Sequence, residues 1–309
     1  MTRAIILAYH NVGCRCLEVL LAQGIEVPLV LTHDDAPGED IWFGSVAAVA
    51  RRHDIPVIAP EDPNHPDIVE RARNLAPDYL FSFYYRRMLK TELLDVPARG
   101  ALNLHGSLLP KYRGRAPVNW AVINGEAETG ASLHYMTAKP DQGDLVDQLA
   151  VPILPDDLAG DVFQKVTVAA ELVLHRSLPK LIEGTAPRIT QDLSRGSYFG
   201  GRRPEDGRID WSRPAAVIHN LVRGVAPPYP GAFCTATGHR LRILRTARIA
   251  PPLPATGRPA LHVVGNRLCV ECGDGAWLRL LDLECDGQPA DAGSLLRALG
   301  PGPISLADA

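Results

Sequence analysis

No apolar run in this sequence reaches the roughly 20 residues that a membrane-spanning helix needs. Met1-Thr2-Arg3 leads straight into a strand-like segment with no signal-peptide cleavage pattern, so the expectation is a cytoplasmic protein without membrane insertion. A strong excess of basic residues is also missing. The formal charge is -3 over 309 residues, which argues against nucleic acid as a partner while leaving a local basic patch open. Paired metal-binding cysteine motifs are absent. Cys269-Val270-Glu271-Cys272 is a single C-x-x-C that runs into the hairpin signal Gly273-Asp274-Gly275, and Cys14 and Cys16 sit one residue apart. The six cysteines therefore read as reduced, partly buried thiols, with no metal site among them. Internal repeats and low-complexity tracts are lacking too.

What is present is a globular composition, 46% hydrophobic and 22% charged, in a chain long enough for two domains. The first hundred residues alternate strand and helix. Ala4 to Ala8 and Val27 to Leu31 read as buried strands, with a helix between them that carries Leu17, Leu20 and Leu21 and ends near Gly24. Ser45 to Arg52 is helical, Pro56 to Ile58 a short strand, Glu70 to Leu75 a helix and Tyr79 to Phe83 a strand. This rhythm predicts a Rossmann-like, doubly wound parallel sheet of the α/β class. The dinucleotide fingerprint G-x-G-x-x-G is not there: Asn11-Val12-Gly13-Cys14-Arg15-Cys16 holds one glycine, which speaks against NAD. Ligands of such sheets bind at the carboxyl ends of strands, where Tyr84, Arg87, Asn103 and His105 should fall.

The chain is organised around Asn103-Leu104-His105-Gly106-Ser107-Leu108-Leu109-Pro110-Lys111-Tyr112-Arg113-Gly114-Arg115. In a strand, residues two apart share a face, so Asn103 and His105 aim polar groups into one space. An amide and an imidazole at a buried strand end need partners, because an unpaired buried polar group is costly. The Ser-Leu-Leu-Pro turn that follows sets Lys111, Arg113 and Arg115 around a glycine that permits close approach of a ligand. Downstream, Gly130 to Tyr135 reads as a strand, with a loop shaped by Pro140 and Gly143 behind it. Asp141, Asp144 and Asp157 are the nearby carboxylates, and the residues alone do not choose among them. His134 reads as structural.

Asn-x-His, Ser-Leu-Leu-Pro, a basic residue and Arg-Gly resemble the signature of the folate-dependent formyltransferases. The run from His105 to Pro117 with Asn119-Trp120 is similar to the branch that formylates UDP-4-amino-4-deoxy-L-arabinose in lipid A modification and polymyxin resistance. The resemblance extends from Ala8-Tyr9-His10 to beyond Pro230-Gly231-Ala232-Phe233. It implies 10-formyltetrahydrofolate as cosubstrate, a nucleotide-sugar amine as acceptor, and no metal or NAD. It implies Asn103, His105 and Asp141 as the catalytic residues. Arg87, Met88, Leu89 and Arg115, with the loop Thr137, Ala138, Lys139, Pro140 and Asp141, would bind the folate. Lys111 and Arg113 would serve either the folate tail or the substrate diphosphate.

Asp161 to Ile182 carries a helical apolar period, and Ser194 to Asp206 is a glycine-, serine- and arginine-rich linker. Ala215 to Val225 reads as a helix. Short strands over Arg240 to Leu244, Ala260 to Val264, Arg267 to Cys272 and Ala276 to Leu283 suggest a small barrel, which agrees with the open, OB-like β-barrel of the family. The expected organisation is a catalytic domain over 1–200, a barrel domain over 204–300 and a tail over 301–309. Other acceptors implied by the wider family are initiator methionyl-tRNA, another nucleotide-linked amino sugar, or water in a formyltetrahydrofolate hydrolase. A non-catalytic binding module is the reading from a different class. In the bifunctional relative a decarboxylase half follows, and this chain stops short of one, so a separate decarboxylase partner is an expectation.

Overall fold

The protein is described here by a computed structural model, covering residues 1–36, 38, 41–300 and 302–306. The chain forms two compact units. The first comprises Met1–Pro117, Glu128–Val151 and Phe163–Gly200, and the second Val118–Ala127, Pro152–Val162 and Gly201–Ala309.

The first unit is built on strands β1 (Arg3–Ala8), β2 (Glu26–Leu31), β3 (Val57–Ile58), β4 (Tyr79–Phe83) and β5 (Gly100–His105). β1 is buried throughout except Arg3, as its unbroken apolar run requires of a strand covered on both faces. Helices α1 (His10–Ala22), α2 (Val46–Arg52) and α3 (Pro66–Asn74) intervene, and α4 (Thr91–Leu94) precedes β5. On α1 the buried positions Val12, Cys16, Leu17 and Leu20 form one apolar stripe. Ser45 caps α2, its hydroxyl accepting from the Ala48 N–H. Ile5, Leu7, Leu29, Leu31 and Leu80 from the strands pack with Val69 of α3 and Leu93 of α4 as one core.

Strand order across this sheet is β3-β2-β1-β4-β5-β7-β8, with β7 (Glu128–Tyr135) and β8 (Leu145–Pro152) completing it. Pairing from β3 to β5 is parallel, as the alternation of strands and helices predicts. β7 departs from that expectation and runs antiparallel to β5, with Leu104 opposite Leu133 and Asn103 opposite His134. A parallel return needs a crossover laid across the sheet. The short helix available, α5 (Pro117–Ile123), groups with the second unit from Val118 onward and provides none. Strand β6 (Arg113–Gly114) stands apart from the main sheet. The long helix α6 (Ala159–Glu183) matches the predicted helical period.

The segment read as a linker holds more structure than its composition suggests. Tyr198–Phe199 forms β9, parallel to β6, with Arg113 opposite Tyr198 and Gly114 opposite Phe199. A two-residue strand is too short to leave a period in the sequence.

The second unit is antiparallel: β10 (Ala232–Ala236), β11 (His239–Ile249), β14 (Trp277–Cys285), β13 (Arg267–Glu271), β12 (Ala260–Val264) and β16 (Ile304–Ser305) in that order, with β15 (Gln288–Pro289) beside β14. Helix α7 (Ala215–Val225) sends Ile218 and Val222 into a core with Trp211, Leu241, Val270 and Leu278. This is the curled sheet that the strand signals predict. Two features correct the expected C-terminus. Helix α8 (Ala292–Leu299) begins at Asp291, whose side chain accepts from Ser294 N–H. Ile304 and Leu261 then pair, and both Ile304 and Leu306 are buried, so residues 302–306 close the sheet rather than fray from it. Residues 301 and 307–309 of the expected tail lie outside the described residues. All six cysteines are free, and burial pushes the Cys272 thiol up to about 12, so the C-x-x-C is the end of β13 leading into a turn and not a reactive pair.

Candidate active site

The carboxyl end of β5 delivers Asn103 and His105, and the antiparallel strand beside it delivers His134. Asp141 reaches the same point from the loop after β7. Its carboxylate Oδ1 lies 3.6 Å from His105 Nδ1 and 3.5 Å from His134 Nε2. Its Oδ2 accepts the Gly114 N–H at 2.8 Å. His105, His134 and Asp141 are buried, and among the described residues Asp141 and Glu271 are the buried acids.

Hydrogen bonds fix how each ring faces. His134 Nδ1 lies 2.8 Å from the Tyr135 carbonyl, an acceptor, so this nitrogen carries the proton. That leaves Nε2 to accept from Asn103 Nδ2 at 3.1 Å. The amide of Asn103 has two N–H groups, and this bond uses one. His105 Nε2 donates in turn to the Tyr112 carbonyl at 2.8 Å, which turns Nδ1 toward Asp141. A neutral ring in that setting presents a lone pair to a carboxylate. Protonation of Nδ1 replaces the repulsion with an ion pair.

Asp141 is correspondingly tuned. Burial alone would raise its pKa. The charge of a protonated His105 outweighs this, helped by the Gly114 N–H, and holds the carboxyl well below the usual carboxylate range.

The loops around the site are held in unusual backbone. Tyr84, Tyr112, Ala116 and Asp141 all have positive φ, between 51° and 57°, although none is glycine. Gly114, at φ 98°, cannot be replaced without conflict, since a Cβ there would stand 2.2 Å from the Phe199 carbonyl oxygen. β9 supports this loop: Arg113 and Arg115 N–H groups donate to Ser197 and Phe199 carbonyls at 3.0 Å, and Tyr112 stacks on Phe199. Gln191, just ahead of the supposed linker, donates through Nε2 to the carbonyls of Asp141 (3.1 Å) and Gly143 (2.6 Å). The segment after α6 therefore braces both the cationic loop and the Asp141 loop.

Of the three carboxylates that the sequence left open, Asp141 alone faces the histidines. Asp144 accepts from the Thr190 hydroxyl at 3.0 Å, and Asp157 accepts the Leu154 N–H at 2.7 Å, both ordinary turn-holding roles. His134, read from sequence as structural, touches both Asn103 and Asp141. The signal was available in principle, because a strand pairing antiparallel with β5 puts His134 directly opposite Asn103. A single sequence does not announce that pairing.

The expected folate contacts fall on three loops, after β4, around β6 and after β7. Arg115 Nη2 reaches the Arg86 carbonyl at 3.5 Å, which ties the cationic loop to the segment after β4. In that segment Arg87 and Met88 are exposed and Leu89 is buried. The Met88 carbonyl accepts from Asn64, whereas the main-chain groups of Arg87 and Leu89 make no hydrogen bond to another described residue. Thr137, Ala138 and Lys139 form an exposed turn closed by the Thr137 hydroxyl on the Lys139 carbonyl, with Pro140 leading into Asp141. Lys111 is exposed, and Arg113 is half-buried with its Nε unpaired.

A mostly parallel Rossmann-like sheet in one unit and a curled antiparallel sheet in the other define a two-unit α/β architecture. The formyl transferase family model matches residues 22–178, and the model for the formyl transferase C-terminal domain matches residues 202–300. The chain belongs to the formyl transferase family. Among solved structures it is similar to an N-formyltransferase from Helicobacter canadensis in complex with folinic acid and dTDP-3-aminofucose. That match has a TM-score of 0.73 and 21% identity, over 94% of this chain and 100% of that one. It is also similar to WlaRD, a sugar 3N-formyltransferase solved with dTDP and 5-N-formyl-THF. Here the TM-score is 0.70 and the identity 19%, over 94% and 98%. HypX from Aquifex aeolicus, solved with tetrahydrofolic acid, matches with TM-score 0.63 and 17% identity over 97% of this chain and 47% of that larger one. Likeness at these identities establishes the fold.

Proposed function

We propose that this chain transfers a formyl group from 10-formyltetrahydrofolate to the amine of a nucleotide-linked amino sugar, with UDP-4-amino-4-deoxy-L-arabinose as the first-choice acceptor. The observation that carries the reading is the Asp141 carboxylate set between two imidazoles, with the Asn103 amide beside them. The sugar structures that share the fold, and the 103–117 signature, support the acceptor class.

The folate supplies an activated formyl carbon. One feature of the chain supports such a donor. Arg87 and Leu89 offer unpaired main-chain donors and acceptors at a surface beside Arg115, suited to the hydrogen-bonding edge of a pterin. The Thr137–Asp141 loop is assigned to the same folate pocket, with its exposed turn at Thr137–Lys139 available to the donor.

The chain's own chemistry follows from the geometry. Negative charge develops on the formyl oxygen as the amine adds, and the second N–H of Asn103 is free to meet it. His134 holds that amide in orientation through Nε2. The amine must give up a proton as it becomes an amide, and His105 Nδ1 accepts it; the proton passes on to the donor nitrogen as its bond to the formyl carbon breaks and tetrahydrofolate leaves. Asp141 then stabilises the imidazolium so formed, a role that needs it ionised, as its depressed pKa ensures.

Purified protein mixed with 10-formyltetrahydrofolate and UDP-4-amino-4-deoxy-L-arabinose should give the formamide, read by mass spectrometry. Product formation on another amino sugar only would keep the chemistry and overturn the acceptor. Formate release with no acceptor consumed would overturn transfer.

A further inference from the structure

A second concavity lies in the first unit, at the carboxyl ends of β1, β2 and β3, and the chemistry above does not use it. It is a cavity of about 490 Å³ lined by Tyr9, Thr32, Asp34, Asp35, Phe43 and Arg51, among others. Thr32 is 4% exposed; its N–H donates to the Ile58 carbonyl, while its hydroxyl has no hydrogen-bond partner among the described residues. A buried hydroxyl lining a cavity without a partner points to a ligand group that completes it.

Three further observations say what kind of ligand. First, the sheet order 3-2-1-4-5 places this cavity next to the switch point between β1 and β4, where sheets of this type bind ligands. Second, Asp34 and Asp35 follow the end of β2, about twenty residues past the turn after β1. In a Rossmann half this is the position from which a carboxylate reads ribose hydroxyls. The missing glycines excluded a dinucleotide diphosphate on α1, but they leave this ribose position untouched. Third, Asp35 is already oriented, its Oδ1 accepting the Tyr9 hydroxyl at 2.7 Å, which leaves Oδ2 for a ligand. The Arg86 guanidinium lies over the Tyr9 ring at 4.4 Å and balances the two acids on the side toward β4. The His33 imidazole, stacked on Tyr85, accepts the Arg86 N–H at 2.9 Å and fixes that loop.

The reach also fits. β2 and β5 are three strand spacings apart, about 14 Å at the usual separation. An amino sugar joined through a diphosphate to a nucleoside spans a comparable distance from amine to ribose.

We infer that this cavity binds the ribose of the acceptor nucleotide, with the Asp35 carboxylate accepting a hydrogen bond from the 2′-hydroxyl and so selecting ribonucleotides over deoxyribonucleotides. The inference rests on the amino-sugar reading above and names the nucleotide class of that substrate.

Titration calorimetry of the full chain with UDP and with 2′-deoxy-UDP tests it. UDP should bind at least about tenfold more tightly, the value of one charge-assisted hydrogen bond. Asp35→Ala should bring the two affinities within about twofold, and Tyr9→Phe, which frees the carboxylate from its tether, should narrow the gap part-way. Asp35 is exposed, so its replacement leaves the core intact. Equal binding by the unmodified protein overturns the inference, as does discrimination that survives in Asp35→Ala. If the UDP amino sugar is formylated while UDP and 2′-deoxy-UDP bind alike, the functional reading stands and the ribose assignment falls. Binding of neither nucleotide, with formyl transfer to an unrelated amine, defeats both.

Discussion

Among the described residues, each compact unit buries one carboxylate, and the two are held mainly by different kinds of partner. Glu271 in the second unit is fully buried. Thr256 N–H donates to both of its oxygens (2.8 and 3.0 Å), the Thr256 hydroxyl donates at 2.7 Å and Gly257 N–H at 2.7 Å. Asp141 in the first unit has one backbone donor, Gly114, and spends its other oxygen on two imidazoles at 3.5 and 3.6 Å. Burial pushes both groups up and their partners more than reverse it, so both are held below the ordinary carboxylate value. The difference lies in what the partners can do. The Thr256 and Gly257 amides and the Thr256 hydroxyl, which neither gain nor lose a proton near neutral pH, act more strongly on Glu271 than the His262 charge does, so this cluster staples a loop. Imidazoles titrate, so the same depression at Asp141 is coupled to proton movement.

That contrast can be broken at either end. The largest effect expected is on formyl transfer by Asp141→Asn, a fall of roughly two to four orders of magnitude in kcat, because the imidazolium formed at His105 loses its counter-charge. Steady-state kinetics with saturating donor would show it. Asn103→Ala comes next, roughly two to three orders, as expected when one oxyanion donor is removed. A loss under tenfold would remove Asn103 from that role. His134→Phe deletes the acceptor that orients the Asn103 amide and should cost roughly three- to tenfold in kcat with KM little changed, the scale of one ordinary hydrogen bond.

Glu271→Gln sharpens the comparison from the other side. It should leave kcat unchanged and cost about 1–3 kcal/mol of stability, since an amide turned toward two N–H donors leaves one of them unsatisfied. The pH dependence has a definite sign. A group whose folded pKa is depressed stabilises the fold fully above its unfolded value, about 4.3 for a glutamate, and loses that contribution as pH falls toward the folded value. The urea midpoint of the unmodified protein should therefore fall below about pH 4.3, and Glu271→Gln should lose part of that slope.

Much of this was legible before the structure. Parallel strands alternating with helices follow from Ala4–Ala8, Val27–Leu31 and Tyr79–Phe83, because a strand buried on both faces must be apolar throughout. Asn103 and His105 declare themselves by their two-residue spacing in a buried strand. The rest depends on partners that are distant in the chain. His134 acquires its meaning only from an antiparallel register with β5, and the 189–199 segment only from pairing with β6. Both are long-range contacts that leave no local period. Asp34 and Asp35 look like a solvated turn until the strand order puts them at a cavity beside the switch point. Ile304 and Leu306 offered a single alternation, too little to distinguish an edge strand from a tail.

The measurement that bears most directly on this account reads transfer rate and urea midpoint together, on matched preparations of Asp141→Asn and Glu271→Gln. A crossed result is predicted: Asp141→Asn folded and at least about a hundredfold slower, Glu271→Gln less stable and as fast as the unmodified protein. Asp141→Asn that is folded and transfers formyl within about threefold of the normal rate would contradict the claim that its carboxylate serves proton transfer at His105.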